Sequence, residues 1–236
     1  MLPGSDARLV REVHWEMTEP PVCWSQAAPV WHFTRIEHLS TIIDQGLLSD
    51  ARAKDLGLMT VEVGNTDIKA RRTCRQVPVE PGGVVADYAP FYFAPRSPML
   101  YAIHRGNVST YQEGCGRLLY LQTTIERLAG LALQIVLSDR NAVLDYAAFH
   151  ELVPGNAPPE DFIDWEVMRA RYWNNTPDEP ARRERRMAEC LVHGGVPWEA
   201  FTEVAASSSQ VAHEARALLA RHGIATPTTV RPNWYF

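Results

Sequence analysis

The segment from Phe91 to Tyr101 constrains the fold more than any other part of this 236-residue chain. It reads Phe-Tyr-Phe-Ala-Pro-Arg-Ser-Pro-Met-Leu-Tyr, an aromatic strand that ends in a small residue and turns into a helix beginning near Ser97. Pro98 suits the first turn of that helix, because the N–H that proline lacks is unpaired there in any helix. The segment predicts a strand, a turn and a helix in direct succession. Taken alone, it is also typical of an ordinary core strand followed by a capped helix.

Strands and helices are interspersed irregularly along the chain. A buried strand is predicted at Pro29–Thr34, and apolar residues spaced three and four apart predict a helix after it, with Gly46 as its C-cap. Asp67 is expected to cap a short basic helix. Further strands are predicted at 84–86, 91–93, 117–123, 133–137, 188–192, 201–205 and 228–235, helices at 97–104, 124–128 and 211–219, a helical pattern over 161–173, a loop at 57–66 and irregular structure over 141–159.

This order of elements has no regular strand–helix–strand period. It therefore favours an α+β fold over a doubly wound parallel sheet. We predict a single domain over residues 29–236, preceded by an N-terminal extension at residues 1–28. A chain of this length buries enough surface to be stable without metal or disulfide links.

Bulk composition limits the cellular setting. Hydrophobic residues make up 46% of the chain and charged residues 22%, both ordinary for a globular protein. No apolar run approaches the roughly 20 residues of a membrane span, and the acidic first 30 residues do not resemble a secretory signal. The four scattered cysteines include no C-x-x-C pair and indicate reduced thiols. We expect a cytoplasmic monomer without membrane association.

The net charge of −5 has the wrong sign for a protein that coats nucleic acid. Basic residues are nevertheless clustered in two places, around Arg71 and Arg72 and between Arg169 and Arg186. Two basic islands in an acidic protein suit a confined anionic ligand. Solvated helix faces with paired charges are the alternative explanation.

Several common chemistries are excluded by their missing motifs. The chain has no phosphate-binding loop of the G-x-x-x-x-G-K-[ST] type, no G-x-G-x-x-G, no H-E-x-x-H and no G-x-S-x-G. Its eight histidines do not fall at zinc-ligand spacing, so we expect no metal. The remaining candidates for chemistry are His32, Arg72, the corner from Tyr92 to Tyr101, and Glu189.

Glu189 is an isolated carboxylate at the start of an apolar strand. Burying it without compensation is expensive, so it requires either an arginine partner or a catalytic role. On the first strand, His32 and Thr34 share one face because side chains alternate. A histidine and a threonine in this arrangement can hold a ribose hydroxyl and an amide, although a lone histidine on a strand is more often a core residue.

Taken in order, these motifs resemble the DarT family of DNA ADP-ribosyltransferases. The resemblance covers roughly residues 30–236 and rests on His32-Phe33-Thr34, the run from Pro81 to Tyr101, Glu189 before a Leu-Val strand, and the terminal Val230–Phe236. The chain departs from the family pattern after Thr34, where relatives often have histidine in place of Arg35. The resemblance implies an ADP-ribosyltransferase-like fold of mostly antiparallel sheets flanked by helices. It also implies NAD as co-substrate.

The resemblance further implies the roles of individual residues. Glu189 and Arg72 are implied to be catalytic, Glu189 by stabilising a cation and Arg72 by contacting both NAD and the acceptor base. The residues implied to bind NAD are His32, Phe33, Thr34, Thr41, Leu48, Arg72, Tyr92 and Tyr101. The acceptor is implied to be a base, thymidine, in single-stranded DNA, and the protein to be a toxin whose partner is a macrodomain antitoxin.

The segment from Asn141 to Glu189 resembles the acceptor-recognition loop of such transferases. Aromatic and basic side chains alternate in it, as suits splayed bases of a single strand. We expect DNA contacts from Arg169, Arg171, Tyr172 and Trp173, and a core position for Trp165. Two other hypotheses stay open: transfer to RNA, protein or water, and a binding module without enzymatic activity. The second of these gives no reason for Glu189.

Overall fold

The computed structural model describes residues 24–58 and 66–236. Most of the predicted extension and residues 59–65 of the predicted 57–66 loop lie outside the described residues. The strands are β1 (Pro29–Arg35), β2 (Leu47–Leu48), β3 (Tyr88–Tyr92), β4 (Leu118–Thr124), β5 (Ile135–Ser138), β6 (Phe149–Leu152), β7 (Glu189–His193), β8 (Gly195–Val196), β9 (Glu203–Ala206) and β10 (Thr228–Val230).

Helices connect and cover these strands. The α-helices are α1 (Leu39–Gln45), α2 (Asp50–Asp55), α3 (Thr66–Arg72), α4 (Pro98–His104), α5 (Ile125–Gly130), α6 (Trp165–Arg169), α7 (Arg182–Arg185) and α8 (Ser209–Arg221). Single 3₁₀ turns occur at Ile36–His38, Val85–Asp87, Trp198–Ala200 and Pro232–Trp234. Within the described part of the chain, no helix is both long and apolar enough to cross a bilayer.

Eight strands form one sheet in the order β10-β9-β4-β1-β3-β7-β5-β6. Its neighbours are antiparallel except for β9 and β10, which are parallel. The short β2 and β8 form a second, two-stranded sheet. The α+β prediction and its mostly antiparallel character are confirmed. The division into an extension and one domain stays a prediction.

Apolar side chains cover both faces of the large sheet. The larger cluster packs beneath α1, α5 and α8, and it includes Val30, Leu121 and Phe91. A second cluster on the opposite side of β1 packs Trp31 against the C-terminal Trp234, whose rings meet edge to face at 5.8 Å. Burial on both faces fixes the register of β1 and β4, which pair along all seven residues of β1.

The sheet opens between β1 and β3. Among the described residues these strands pair only at Trp31 and Tyr92. His32 Nδ1 donates instead to the Pro90 carbonyl of β3 at 2.8 Å. A strand residue directs its N and its C=O toward the same neighbour, so the proline nitrogen, which has no hydrogen, also faces β1. The ladder therefore ends at Pro90, and a cleft begins there.

Several local predictions are confirmed. Ser97 caps α4 by accepting from the Leu100 N–H at 3.2 Å, with Pro98 in the first turn. Gly46 ends α1 with φ +80°, and a Cβ on it would lie 2.7 Å from the Val196 carbonyl oxygen. Only glycine tolerates both conditions.

Other predictions are wrong in their boundaries or type. Residues 84–86 form no strand: Val85–Asp87 is a 3₁₀ turn, because the Asp87 carboxylate accepts from the Val84 N–H at 2.8 Å. Of the helical pattern over 161–173 only α6 is helical, and the final strand stops at Val230 before a 3₁₀ turn. Asp67 lies inside the first turn of α3. The sequence analysis missed α2, α7, β2, β6 and β8.

Candidate active site

A cavity lies where β1 and β3 separate. Its floor is formed by β1 and β3, and its walls by α1, α3 and the start of β7. The lining includes His32, Phe33, Thr34, Thr41, Leu48, Asp50, Lys69, Arg72, Pro90, Tyr92, Met99, Asn141, Met187 and Glu189. Side chains from distant parts of the chain thus share one cleft in the middle of the sheet.

Glu189 is the first residue of β7, and both neighbouring strands fix its position. It is paired with Tyr92 on β3 and with Ser138 on β5. The residue is only 1% exposed, and each oxygen of its carboxylate has a hydrogen-bond partner. Oε2 accepts from Arg72 Nη1 at 2.8 Å, and Oε1 accepts from the Ala142 N–H at 3.0 Å. The buried carboxylate is therefore held rigidly at the cavity wall.

Arg72 is the last residue of α3 and is 7% exposed. From the sequence, Arg72 could also have been a solvated surface charge. In the structure its guanidinium is buried. Besides Glu189, its Nη2 donates to the Val85 carbonyl at 3.4 Å. Burial lowers the pKa of Arg72, but attraction to the Glu189 carboxylate more than offsets this, so its pKa is raised and the guanidinium stays charged.

One donor of Arg72 is unused. Among the described residues, the buried Nε has no hydrogen-bond partner, and the Asp50 carboxylate lies 4.0 Å away. Asp50 is instead paired with Lys69 Nζ at 2.9 Å. A buried donor without an acceptor costs free energy, so Arg72 has capacity for an anionic or carbonyl ligand in the cavity.

His32 is held as a neutral imidazole. A carbonyl oxygen can only accept, so Nδ1 carries the proton that is donated to Pro90, and Nε2 is an acceptor. Burial lowers the pKa of His32 to about 4, although the bond to Pro90 raises it. At neutral pH the ring can therefore accept from a hydroxyl group in the cavity.

Aromatic rings form an apolar wall of the cavity. Phe33 and Tyr92 stack with centroids 6.2 Å apart and planes 15° apart. Burial, with a smaller contribution from the Glu189 carboxylate, raises the pKa of Tyr92, so its hydroxyl stays protonated. This flat surface beside a carboxylate suits a planar heterocycle joined to a sugar.

Most of the predicted NAD-binding residues lie together in this cavity: His32, Phe33, Thr34, Thr41, Leu48, Arg72 and Tyr92. Tyr101 does not lie there. Met99 of α4 faces the cavity, and a residue two positions later on a helix points about 200° away. Tyr101 is 40% exposed and its ring lies 5.0 Å from that of Phe236. The structure does not support a contact between Tyr101 and a ligand in the cavity.

The predicted DNA-binding residues lie outside the cavity. Arg169, Arg171 and Tyr172 are exposed, and the Arg171 guanidinium lies 5.4 Å from the Tyr172 ring centroid. Trp173 is 8% exposed and its ring is 6.2 Å from that of Tyr101. Because Trp173 is buried, its ring contributes to packing inside the protein as much as it offers a surface on which a base could stack. Trp165, expected in the core, is 4% exposed.

Arg186 fixes the segment that carries these residues. Its buried guanidinium donates to the carbonyls of Val167 and Met168, both at 2.6 Å, and to Pro95 at 2.9 Å. Burial lowers the pKa of Arg186 to about 10. One side chain thereby ties the end of α6 to the turn that precedes α4.

The sequence analysis missed several lining residues. Lys69 lies one turn before Arg72 on α3, and this spacing was an available signal. Asp50, Pro90, Asn141 and Met187 reach the cavity only through tertiary contacts, and no local pattern marks them.

Solved structures with this architecture carry ligands that match these chemical features. Thermus sp. 2.9 DarT in complex with NAD+ superposes with a TM-score of 0.76, at 31% identity, covering 90% of this chain and 100% of that chain. The same protein in complex with ADP-ribosylated ssDNA gives a TM-score of 0.80, at 32% identity, covering 90% and 98%. The fold is that of an NAD-dependent ADP-ribosyltransferase.

Sequence comparison narrows this class to one family. The family described as ssDNA thymidine ADP-ribosyltransferase, DarT, matches residues 31–236. A DNA ADP-ribosyl transferase of Thermus sp. strain 2.9 is 34% identical over 215 residues, which cover 90% of this chain and 98% of the relative. The chain belongs to the DarT family. It is an enzyme that transfers ADP-ribose from NAD to a base in single-stranded DNA.

Proposed function

We propose that Glu189 and Arg72 catalyse this transfer and that the cleft between β1 and β3 binds the nicotinamide end of NAD. The observation that carries the proposal is the buried pair itself, with Arg72 Nη1 2.8 Å from Glu189 Oε2 at the wall of the cleft. A pair of this kind in an enzyme cavity supplies both a negative charge and a donor at one point.

The residues of the cleft fit the nicotinamide riboside. The Phe33–Tyr92 wall matches the planar ring, and the neutral His32 Nε2 matches a ribose hydroxyl. Extending the Trp31–Tyr92 register sets Phe33 opposite Pro90, which has no N–H to donate. Phe33 is not paired with β3. Its backbone N–H and C=O would suit the nicotinamide carboxamide, which needs one donor and one acceptor. Thr34, Thr41 and Leu48 complete the pocket.

Glu189 stabilises the reacting sugar. When the bond between the ribose C1′ and nicotinamide breaks, nicotinamide leaves with the bonding electrons and positive charge develops on the sugar. A carboxylate that accepts from the 2′-hydroxyl stabilises this charge mainly in the transition state, and therefore raises the rate more than the affinity. Glu189 is preorganised for this role, because two hydrogen bonds already hold its oxygens.

Arg72 acts on the acceptor. Thymidine has one ring nitrogen free to react, N3, because N1 carries the deoxyribose and no exocyclic amine is present. N3 must lose its proton to water as the new bond to C1′ forms. Arg72 stays protonated and stabilises the negative charge that the base acquires, using the Nε donor that lacks a partner among the described residues.

The wider setting follows from the family resemblance. We infer contacts to the DNA strand from Arg169, Arg171, Tyr172 and Trp173, which lie beyond the cavity. The protein acts as a cytoplasmic, monomeric toxin, and its partner is a macrodomain antitoxin that removes the modification. Co-expression with a macrodomain protein tests that partnership: rescue of growth is expected, and undiminished toxicity would contradict it.

Acceptor competition tests the enzymatic proposal. The enzyme and labelled NAD are incubated in four parallel reactions, each with one acceptor: single-stranded DNA, the matched duplex, RNA or an acceptor protein. We expect label on the single strand alone, since pairing hides the reacting edge of the base. Glu189→Gln serves as the matched control. Equal labelling of duplex and single strand, or label on protein, would refute the DNA proposal.

A further inference from the structure

Asn141 is a lining residue near Glu189 whose side chain the proposed mechanism does not use. It lines the same cavity as Glu189 and Arg72. Its neighbour Ala142 donates to Glu189 Oε1, whereas Arg72 donates to Oε2. The backbone that follows Asn141 and the Arg72 guanidinium therefore contact different oxygens of the carboxylate.

The orientation of the Asn141 amide is fixed. Its backbone N–H donates to the Glu184 carbonyl at 3.2 Å, and its own carbonyl accepts from Leu144 at 3.1 Å. Its side-chain oxygen accepts from the Val143 N–H at 3.2 Å. Because a backbone N–H can only donate, the atom facing it is oxygen, and the amide nitrogen faces the other way.

The amide nitrogen is poorly satisfied. Its only acceptor in residues 24–58 and 66–236 is the Met187 sulfur at 3.7 Å, and a thioether is a weak acceptor. An amide nitrogen carries two donors, so Asn141 offers hydrogen-bonding capacity to a ligand. The bond from the Val143 N–H to the side-chain oxygen holds the amide nitrogen on the opposite side from that N–H.

The four bases differ in the hydrogen-bonding groups that flank the ring nitrogen. In thymine the reactive N3 lies between two carbonyl acceptors, O2 and O4. In cytosine N3 lies between one carbonyl and an amino donor, in guanine N1 lies between a carbonyl and an amino donor, and in adenine N1 has an amino donor on one side only. One donor on each side of the reacting nitrogen therefore matches the two carbonyls of thymine. The same two donors would meet an amino donor, or lack an acceptor, on at least one side of each of the other three bases.

We propose that Asn141 is a specificity-determining residue that donates from its side-chain nitrogen to one carbonyl of the acceptor thymine, while Arg72 serves the other. This inference rests on the proposed function and adds to it the means by which the base is selected. Met187 holds the amide nitrogen in the absence of DNA, and the base carbonyl replaces its sulfur.

Two substitutions separate recognition from structure. Asn141→Ser keeps a hydroxyl that can accept from the Val143 N–H, and so keeps the turn, but its shorter side chain lacks the amide NH₂ that is proposed to reach the base. Asn141→Ala loses both. If Asn141 selects the base, both variants transfer ADP-ribose to a thymine-containing oligonucleotide about 10- to 100-fold more slowly, while their affinity for NAD, measured by calorimetry, stays unchanged. If the residue is only structural, serine restores what alanine removes.

Modified oligonucleotides make the test specific. The acceptor thymine is replaced by 2-thiothymine or 4-thiothymine, in which sulfur is a weak acceptor at one known position. Wild-type protein is expected to lose rate on both, at one position through Asn141 and at the other through Arg72. Asn141→Ser is expected to keep the loss at the Arg72 position and to show none at the other, because that interaction is already absent. Comparing the two proteins cancels the intrinsic reactivity of each base.

Several results would overturn the inference. These are full transfer by Asn141→Ser, rescue by serine but not alanine, an equal fall in NAD affinity and transfer, or identical sulfur effects in wild type and variant. A wild-type protein that binds NAD but labels no oligonucleotide would instead overturn the proposed function, and this inference with it.

Discussion

The buried pair of Arg72 and Glu189 has a thermodynamic signature that can be measured without any substrate. Neither residue is more than 7% exposed, and their charged atoms are 2.8 Å apart. Removing one partner leaves an uncompensated buried charge, which costs about 3–5 kcal/mol of unfolding free energy. Replacing both by neutral side chains relieves that charge. We therefore expect Arg72→Met and Glu189→Gln to be destabilising singly and far less than additive together.

Urea unfolding of the wild type, the two single variants and the double variant gives the coupling energy, which we expect to be about 2–4 kcal/mol. Asp50, 4.0 Å from Arg72, keeps the value below the upper end of the range for a fully isolated charge. The pair of Arg117 and Glu214 is a matched control, since its contact is also 2.8 Å but its side chains are 35% and 42% exposed. Its coupling should not exceed about 1 kcal/mol. A buried coupling no larger than the exposed one would refute the reasoning.

Three further predictions concern the same site. Glu189→Gln should bind NAD within a few-fold of wild type, by calorimetry, and transfer label to single-stranded DNA about 100- to 1,000-fold more slowly, because the lost charge acts in the transition state; near-normal transfer by the folded variant would remove Glu189 from the mechanism. Arg72→Lys should also transfer poorly, since an ammonium cannot copy the planar guanidinium, whereas Arg221→Lys on the exposed end of α8 should label DNA normally; equal activity of the two would show that the wrong arginine was chosen. His32 has a pKa of about 4 in the folded protein, below its unfolded value of about 6.5. Between these pH values the unfolded state binds more protons, so the free energy of unfolding falls as pH drops, by up to about 1.4 kcal/mol per pH unit. Urea unfolding at pH 7, 6 and 5 should show a shallower fall for His32→Gln than for the wild type, and identical pH profiles would contradict the assignment.

Elements with a complete local signal were predictable from sequence. The α4 helix has its Ser97 cap and Pro98 in adjacent positions, and β1 is rich in β-branched and aromatic residues, so the local sequence marks both. The strands β6 and β8 could not be predicted in this way. They are short, and they exist because β5 and β2 provide partners for them.

The candidate site divides along the same line. Glu189 could be singled out because a lone carboxylate on an apolar strand needs an explanation. The burial of Arg72 could not be predicted, since α3 is basic and becomes buried only where its last residue meets β7. Tyr101 was assigned to NAD by the family resemblance, and that assignment stays a prediction; the phase of α4 turns its ring toward Phe236. No local pattern marks Asn141 as a lining residue: the Val143 contact that orients its amide is local, but its contacts with Met187 and Glu184 come from far along the chain.

The proline that ends the ladder between β1 and β3 has a consequence for affinity. Two neighbouring strands with complete hydrogen-bonding capacity would tend to pair when no ligand separates them, and binding would then begin by breaking that pairing. Proline has no backbone N–H, so no change in packing can create a hydrogen bond from the Pro90 nitrogen to β1. The bond from the His32 ring to the Pro90 carbonyl holds the two strands at a set separation. The protein therefore does not lose part of its binding energy in opening the sheet. The cleft is preorganised by the choice of a single imino acid.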